Sequence, residues 1–256
     1  MTREQVAEAF SNWRETHRRP AWRPVTQADQ NQSRSWFGGD PIMDESSVWP
    51  CCSECQQPMQ FLLQLDAGAI PFQSASTHHG LIQLFYCSSD DGECETWAPF
   101  NGTSSVRIAT EGGIARRPVD IEPLPQSFIA GWEPVNDYPN PQEHERLGIE
   151  YRYDFKEQHV SVGCQALGLN FEKLSLGSSL AEQISVAQYG DKLGGWPAWV
   201  QGMEYPECPR CQEEMQLLFQ LDSEDNLPIM FGDMGCGHIT FCERHPEVMT
   251  FAWACG

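Results

Sequence analysis

Apolar positions recur along this chain with two periods. Over residues 2–17 the spacing is helical: Val6, Phe10 and Trp13 share one face, arginines occupy the other, and Thr2 with Gln5 has the separation of a capping box. Shorter runs rich in β-formers predict strands at 60–66 and 216–222, in the segments ending at Cys87 and Cys242, and at 248–254. Residues 180–188 predict a short second helix. Between them, Pro118, Pro123, Pro125, Pro134, Pro139 and Pro141 break any long helix. Phe128, Ile129 and Trp132 are anchors that a free linker would lack, so this stretch reads as an extended strap that packs.

The pattern also repeats. Residues 38–66 align without a gap on 194–222, an offset of 156, and 13 of the 29 positions are identical. The matches include Gly38/Gly194, Gly39/Gly195, Pro50/Pro206, Cys52/Cys208, Cys55/Cys211, Met59/Met215, Gln64/Gln220 and Asp66/Asp222. Each copy then runs through an apolar segment to a cysteine and reaches a tryptophan, Trp97 or Trp253. The expected fold is α+β and β-rich: two duplicated, zinc-knuckle-bearing β units arranged pseudo-symmetrically, with an N-terminal helix. The expected division is 1–35 (helix and arm), 36–115 (first unit), 116–191 (connecting strap with a short helix) and 192–256 (second unit).

Charge and cysteine content narrow the chemistry. Thirty-six acidic side chains face 16 basic ones in 256 residues, a net charge of −20, which repels phosphates and anionic lipid and attracts basic partners. Nucleic acid and membrane are therefore not expected as partners. The 11 cysteines are an odd number, so they cannot all pair with one another. The first residues, Met1-Thr2-Arg3-Glu4-Gln5-Val6, show no apolar signal core, which points to a reducing cytoplasm where clustered cysteines are metal ligands more often than disulfides.

Cys52-Ser53-Glu54-Cys55 and Cys208-Pro209-Arg210-Cys211 have the two-residue spacer that turns both thiolates toward one ion. Zinc takes four tetrahedral N/S ligands, so each unit needs two more. Cys87 and Cys94 are the candidates in the first unit, and Cys242 with His245 in the second. The expectation is two structural Zn2+ ions. Alternatives remain open: Cys51 for Cys52 with a three-residue spacer, and Cys236 or His238 in the second set. His78 and His79 read as polar loop residues, and Cys164 and Cys255 as structural.

Nothing in the sequence assembles a catalytic set. Catalytic zinc keeps an open position, whereas these spacings close both sites. The deaminase signature is missing around Cys208, and no phosphate loop, dinucleotide fingerprint or nucleophile elbow occurs. His144 and His159 read as surface histidines in polar surroundings.

Residues 192–199 (Lys-Leu-Gly-Gly-Trp-Pro-Ala-Trp), then Cys208, Cys211, Met215, Phe219-Gln220-Leu221-Asp222, Gly232-Asp233, Cys242, His245 and Phe251-Ala252-Trp253, resemble the bacterial YwqG-like family of uncharacterised proteins. Phe85-Tyr86-Cys87 through Cys94 to Phe100 is similar to its N-terminal half. The Gly-Gly-x-Pro-Ala-Trp, Cys-x-x-Cys and Gln-Leu-Asp elements also resemble eukaryotic programmed cell death protein 2, a zinc-containing chaperone for a small-subunit ribosomal protein. The second resemblance implies protein binding without catalysis; members of the bacterial family can accompany toxins as candidate immunity proteins.

The expected function is a non-enzymatic, zinc-stabilised protein that binds a basic polypeptide, a toxin it neutralises or alternatively a ribosomal protein it chaperones. Candidate acidic contacts are Asp90, Asp91, Glu93, Glu95, Glu213, Glu214, Glu224 and Asp225. A third reading is a hydrolase working in a cleft between the repeats, lined by His78, His79, Cys236 and His238.

Overall fold

A computed structural model describes residues 3–29, 32–44, 47–71, 80–89, 94–110, 112–156, 159–175 and 180–256, without the side chains of 3–7, 159, 172–175 and 183. In chain order the elements are α1 (Arg3–Thr16), β1 (Arg19–Gln27), β2 (Trp36–Phe37), β3 (Ile42–Met43), β4 (Gln60–Asp66), β5 (Leu81–Tyr86), β6 (Ser104–Ala109), β7 (Gly113–Ile114), β8 (Ser127–Asp137), β9 (Ile149–Asp154), β10 (His159–Cys164), β11 (Leu169–Ser175), α2 (Leu180–Ile184), β12 (Lys192–Gly194), β13 (Gln216–Asp222), β14 (Cys236–Phe241) and β15 (Met249–Ala254). The fold is β-rich, as the pattern predicts. The helix expected from residue 2 begins at Arg3, and Thr2 lies outside the described residues.

Ten strands form one antiparallel sheet in the order β15-β14-β13-β12-β1-β8-β2-β4-β5-β6. Its two edges curl toward each other and are stitched by side chain and backbone: Phe100 N donates to Thr250 Oγ1 at 3.0 Å, Trp253 N to Trp97 O at 3.3 Å, and Ser104 Oγ to Phe251 O at 3.4 Å. A sheet curled this far encloses its own core. Phe37, Leu63, Leu84, Ile129, Leu193, Phe219, Ile239 and Phe251 fill it from strands on both sides of the centre.

Local geometry recurs at the same offset as the sequence. Gln64 Oε1 accepts Ile42 N at 3.0 Å, and Gln220 Oε1 accepts Ala198 N at 2.8 Å. Gln64 Nε2 donates to Arg34 O and Gln220 Nε2 to Gly190 O. Both β4 and β13 bulge two residues into the strand, after Phe61 and after Leu217. One bond changes its chemistry: the N–H of Asp66 meets the Ser35 hydroxyl at 2.8 Å, while that of Asp222 meets the Asp191 carboxylate at 2.7 Å.

The segments expected to be arm and strap carry more structure than their spacing suggests. Residues 1–35 supply β1, and 116–191 supply β8, which lie side by side at the middle of the large sheet through nine pairs from Arg19↔Asp137 to Gln27↔Phe128. Phe128 and Ile129 are buried, and Trp132 packs on Phe219. Within the same segment β9, β10 and β11 form a separate sheet in the order β11-β10-β9, whose apolar face packs with Phe10 and Trp13 of α1 and Leu180 and Ile184 of α2.

A buried ion pair ties these parts together. Lys192 Nζ, with no exposed side-chain surface, donates to Asp137 Oδ2 at 2.7 Å and to the carbonyls of Gln188 and Trp196 at 2.6 Å each. Asp137 also accepts Tyr138 N, Gln188 N and Trp196 N at 3.0, 2.7 and 2.8 Å. Burial lowers the Lys192 pKa, and Asp137 opposes that shift. A Cβ on Gly195, which has φ of +78°, would lie 2.2 Å from Asp137 Oδ2, so glycine is required there by space as well as by backbone. Asp137→Ala strands a buried ammonium and three backbone donors, and is expected to cost about 3–5 kcal/mol. Lys192→Met leaves the carboxylate its backbone donors and is expected to cost less; urea unfolding of both variants measures the difference.

Candidate metal centres

The first centre is built from two loops. Pro50 leads into a tight turn in which Cys52 N donates to Gln57 O at 2.9 Å, Gln56 N to Cys52 O at 3.0 Å, and Gln56 takes the left-handed conformation at φ 60°. This turn projects Cys52 and Cys55. The chain runs out along β4 and back along β5 to Cys87, whose N–H donates to Thr103 O at 2.9 Å. Cys94 arrives on a loop stitched to the turn: Ser53 Oγ donates to Asn101 O at 2.8 Å, Ser53 N to Gly102 O at 3.0 Å, and Glu95 N to Glu54 Oε2 at 3.0 Å.

The second centre uses the same turn, 156 residues on. Cys208 N donates to Glu213 O at 2.9 Å, Gln212 N to Cys208 O at 2.8 Å, and Gln212 also has φ 60°. Cys242 follows β14, and His245 lies in the bend that returns to β15 through Val248 N→His245 O at 2.8 Å. Ion pairs Arg210–Glu247 and Arg244–Glu213 join the two loops across the site.

The structure brings together both four-residue sets expected from spacing: Cys52, Cys55, Cys87 and Cys94, and Cys208, Cys211, Cys242 and His245, with the donor atoms of each set within 4.8 Å of one another. All 11 cysteines are free thiols. The closest contacts are Cys52–Cys94 Sγ–Sγ 3.8 Å, Cys55–Cys87 3.7 Å, Cys211–Cys242 3.6 Å, and His245 Nδ1 to the sulfurs of Cys208 and Cys242 at 3.6 and 3.7 Å. A disulfide needs about 2.0 Å. A tetrahedron with metal–sulfur bonds of about 2.3 Å has S–S edges near 3.8 Å, and an S–N edge is about 3.6 Å. Both donor sets fit a tetrahedral N/S-ligated ion by spacing and by chemistry.

The thiols within each set are held at unequal acidities. Backbone donation from Gln57 lowers the Cys55 pKa, while burial pushes Cys87 up to about 11 and raises Cys94 further. At Cys208 burial is outweighed by the N–H groups of Arg210 and Cys211, and the thiol falls to about 6; burial raises Cys242.

The competing residues stay outside these sets. Cys51 is exposed, with its sulfur toward Trp49 O. Cys236 and His238 share a buried face of β14, 3.7 Å apart, and His238 packs edge-on against Trp199. Cys164 is buried in the small sheet and Cys255 half-buried at the chain end. His78, His79, Asp90, Asp91 and Glu93 lie outside the described residues, as does the His159 side chain.

His144 corrects the surface reading: it is fully buried, with Nδ1 2.7 Å from Tyr151 Oη, Nε2 2.8 Å from Ser185 Oγ and Trp13 edge-on to the ring. Ser185 donates onward to Pro139 O at 2.7 Å, so Nε2 carries the proton and Tyr151 donates to Nδ1. Glu143 beside it is also buried, accepting Trp199 Nε1 and Tyr205 Oη at 2.7 Å each. The partners of both residues lie on other elements, beyond the reach of local pattern, although Asn140 and the prolines flanking it mark a fixed turn.

These geometries define a β-rich protein with two Cys/His clusters able to hold a metal ion. A family model described as "Domain of unknown function (DUF1963)" matches residues 35–252, and the chain belongs to that family. YwqG-like proteins carry the same domain. A 45-residue stretch is 47% identical to "Uncharacterized protein YpfL" of Salmonella typhimurium, covering 18% of this chain and 11% of that protein. Among the described residues, no helix is long and apolar enough to cross a membrane.

Burial holds the His144 pKa down to about 4. An unfolded histidine titrates near 6.5, so between these values the unfolded chain binds the extra proton and acid costs about 3 kcal/mol of stability through this residue. Nitrogen-15 NMR is expected to show a neutral Nε2–H ring at about pH 5.5, between the two values; an imidazolium there would contradict this network.

Proposed function

We propose that both centres hold structural zinc and that the protein binds a basic polypeptide without catalysing a reaction, with neutralisation of a toxin as its role. Four protein donors at each centre support a structural ion, because catalytic zinc keeps a position for water. A four-thiolate zinc site carries a net charge of −2 and a Cys3His site −1, so metal loading leaves the carboxylate excess in place.

The observation that carries the partner reading is the seam where the sheet edges meet. Trp97 is 49% exposed and Phe100 45%, and Trp97 packs edge-on against Trp253. Glu95 and Glu54 are exposed and linked beside them. An exposed aromatic anchor bordered by carboxylates suits a basic partner: the ring supplies affinity while charge selects and speeds encounter. Of the other candidate contacts, Glu224 and Asp225 are exposed, and Glu213 and Glu214 are exposed but paired with Arg244 and Arg146. The hydrolase reading has less support, since Ser185 gives its proton to a carbonyl and Cys236 and His238 are buried.

Elemental analysis is expected to find two zinc ions per chain, reduced to one in Cys52→Ser or Cys208→Ser. Zinc contributes on the order of 10 kcal/mol to small structural sites, so chelation should lower the melting temperature sharply. An unchanged melting temperature after verified metal loss rejects the structural role. Affinity capture from the native host with mass spectrometry is expected to recover a basic toxin, with binding weakened by salt and by Trp97→Ala. Recovery of a small-subunit ribosomal protein instead favours the chaperone role, and a Trp97-independent acidic partner overturns the reading.

A further inference from the structure

The small sheet ends in an edge that no other strand covers among the described residues. β9 pairs with β10 along one side, and the order β11-β10-β9 leaves its other side open. An open edge is a template for another strand. Along one face of β9 and its continuation, Tyr151, Tyr153 and Phe155 line up with ring centroids 6.3 and 6.1 Å apart, the second pair within 15° of parallel. Tyr153 is 54% exposed and Phe155 81%.

The alternate positions are Glu150, Arg152, Asp154 and Lys156, charges of alternating sign. Arg152 lies 3.3 Å over the Phe171 ring of β11, so its guanidinium reaches inward across the sheet and must leave that ring to meet a partner beyond the edge. This stretch is locally neutral in a chain of net charge −20, so pairing it with itself adds little local repulsion.

We propose that β9 recognises itself: two copies of this chain join by antiparallel pairing of β9 about a twofold axis at Tyr153. In an antiparallel pair centred on one residue, the residue before it faces the residue after it. Arg152 of each copy therefore faces Asp154 of the other, Tyr153 faces Tyr153, and Tyr151 faces Phe155. Beyond the strand end, Lys156 faces Glu150. Every charge on the edge meets its opposite, which is the condition for a self-complementary twofold interface. Asp154 Oδ1 accepts Lys156 N at 3.0 Å. The product is a six-stranded sheet in which main-chain bonds and covered aromatic rings supply affinity and the charges fix register.

Sedimentation equilibrium of the zinc-loaded full chain tests this. Wild type is expected to reach twice 29.0 kDa as concentration rises. Arg152→Glu and Asp154→Arg each place like charges opposite one another, and each alone should raise the dimer dissociation constant about tenfold or more. Mixed in equal amounts, the two variants should dimerise again. In the mixed pair the introduced glutamate of one copy meets the introduced arginine of the other, and the remaining native Asp154 meets the remaining native Arg152. Circular dichroism checks that each variant folds, and hydrogen exchange of wild type should show protection of the β9 amides that increases with concentration. A wild-type chain that stays at 29.0 kDa up to about 100 μM, a mixture that stays monomeric, or β9 protection independent of concentration overturns the proposal.

Discussion

A lysine with no exposed surface holds the two ends of this fold in register. Desolvating an ammonium is expensive, and the cost is tolerable here only because Lys192 finds a carboxylate and two carbonyls while Asp137 collects three backbone N–H groups beside it. These bonds fix the end of β8, the segment before β12 and the turn after it. Trp196 follows directly, giving its indole N–H to His17 O at the end of α1, and Trp199 reaches Glu143. The small sheet with its helices is thus fastened to the large sheet through polar contacts that demand specific partners, where apolar packing alone would permit sliding.

The metal centres are legible in the sequence because their information is local. A two-residue spacer, a proline before it and a left-handed glutamine after it specify one turn, and the second copy shows which cysteine of Cys51-Cys52 belongs to it. β1 and β8 are hidden by their composition. Pro20 and Pro24 within β1, and Pro134 within β8, argue against central strands. They are accommodated because β12 covers only Ala21 and Trp22 of β1, and β2 only Ser127 and Phe128 of β8. Those prolines need to donate no hydrogen bond on the uncovered side. The β9–β11 sheet escapes a reading of pattern for another reason: its strands mix charged and aromatic residues, and β9 turns much of its surface to solvent. His144 reads as a surface residue because its burial depends on Trp13 and Ser185, 131 residues before it and 41 after.

The two centres are not equivalent in chemistry although their turns are. One set is four sulfurs; the other exchanges a sulfur for an imidazole, which makes it less negative, and braces it with Arg210 and Arg244. The same divergence marks the sheet itself, where a hydroxyl at Ser35 takes the place of a carboxylate at Asp191. Backbone hydrogen bonding is retained while the side chain that satisfies it changes, so each half can carry its own surface without losing the shared frame.

The position of β1 bears on how the chain is made. It leaves the ribosome early, yet Ala21 pairs with Gly194, 173 residues later in synthesis. At about 5–20 residues per second, this strand waits roughly 10–35 s for that neighbour. All four residues of the first cluster have emerged by Cys94, before either strand that flanks β1, so β1 is then wholly unpaired. The large sheet therefore cannot close around β1 until β12 has emerged, which makes closure a later step than the appearance of the first cluster's residues.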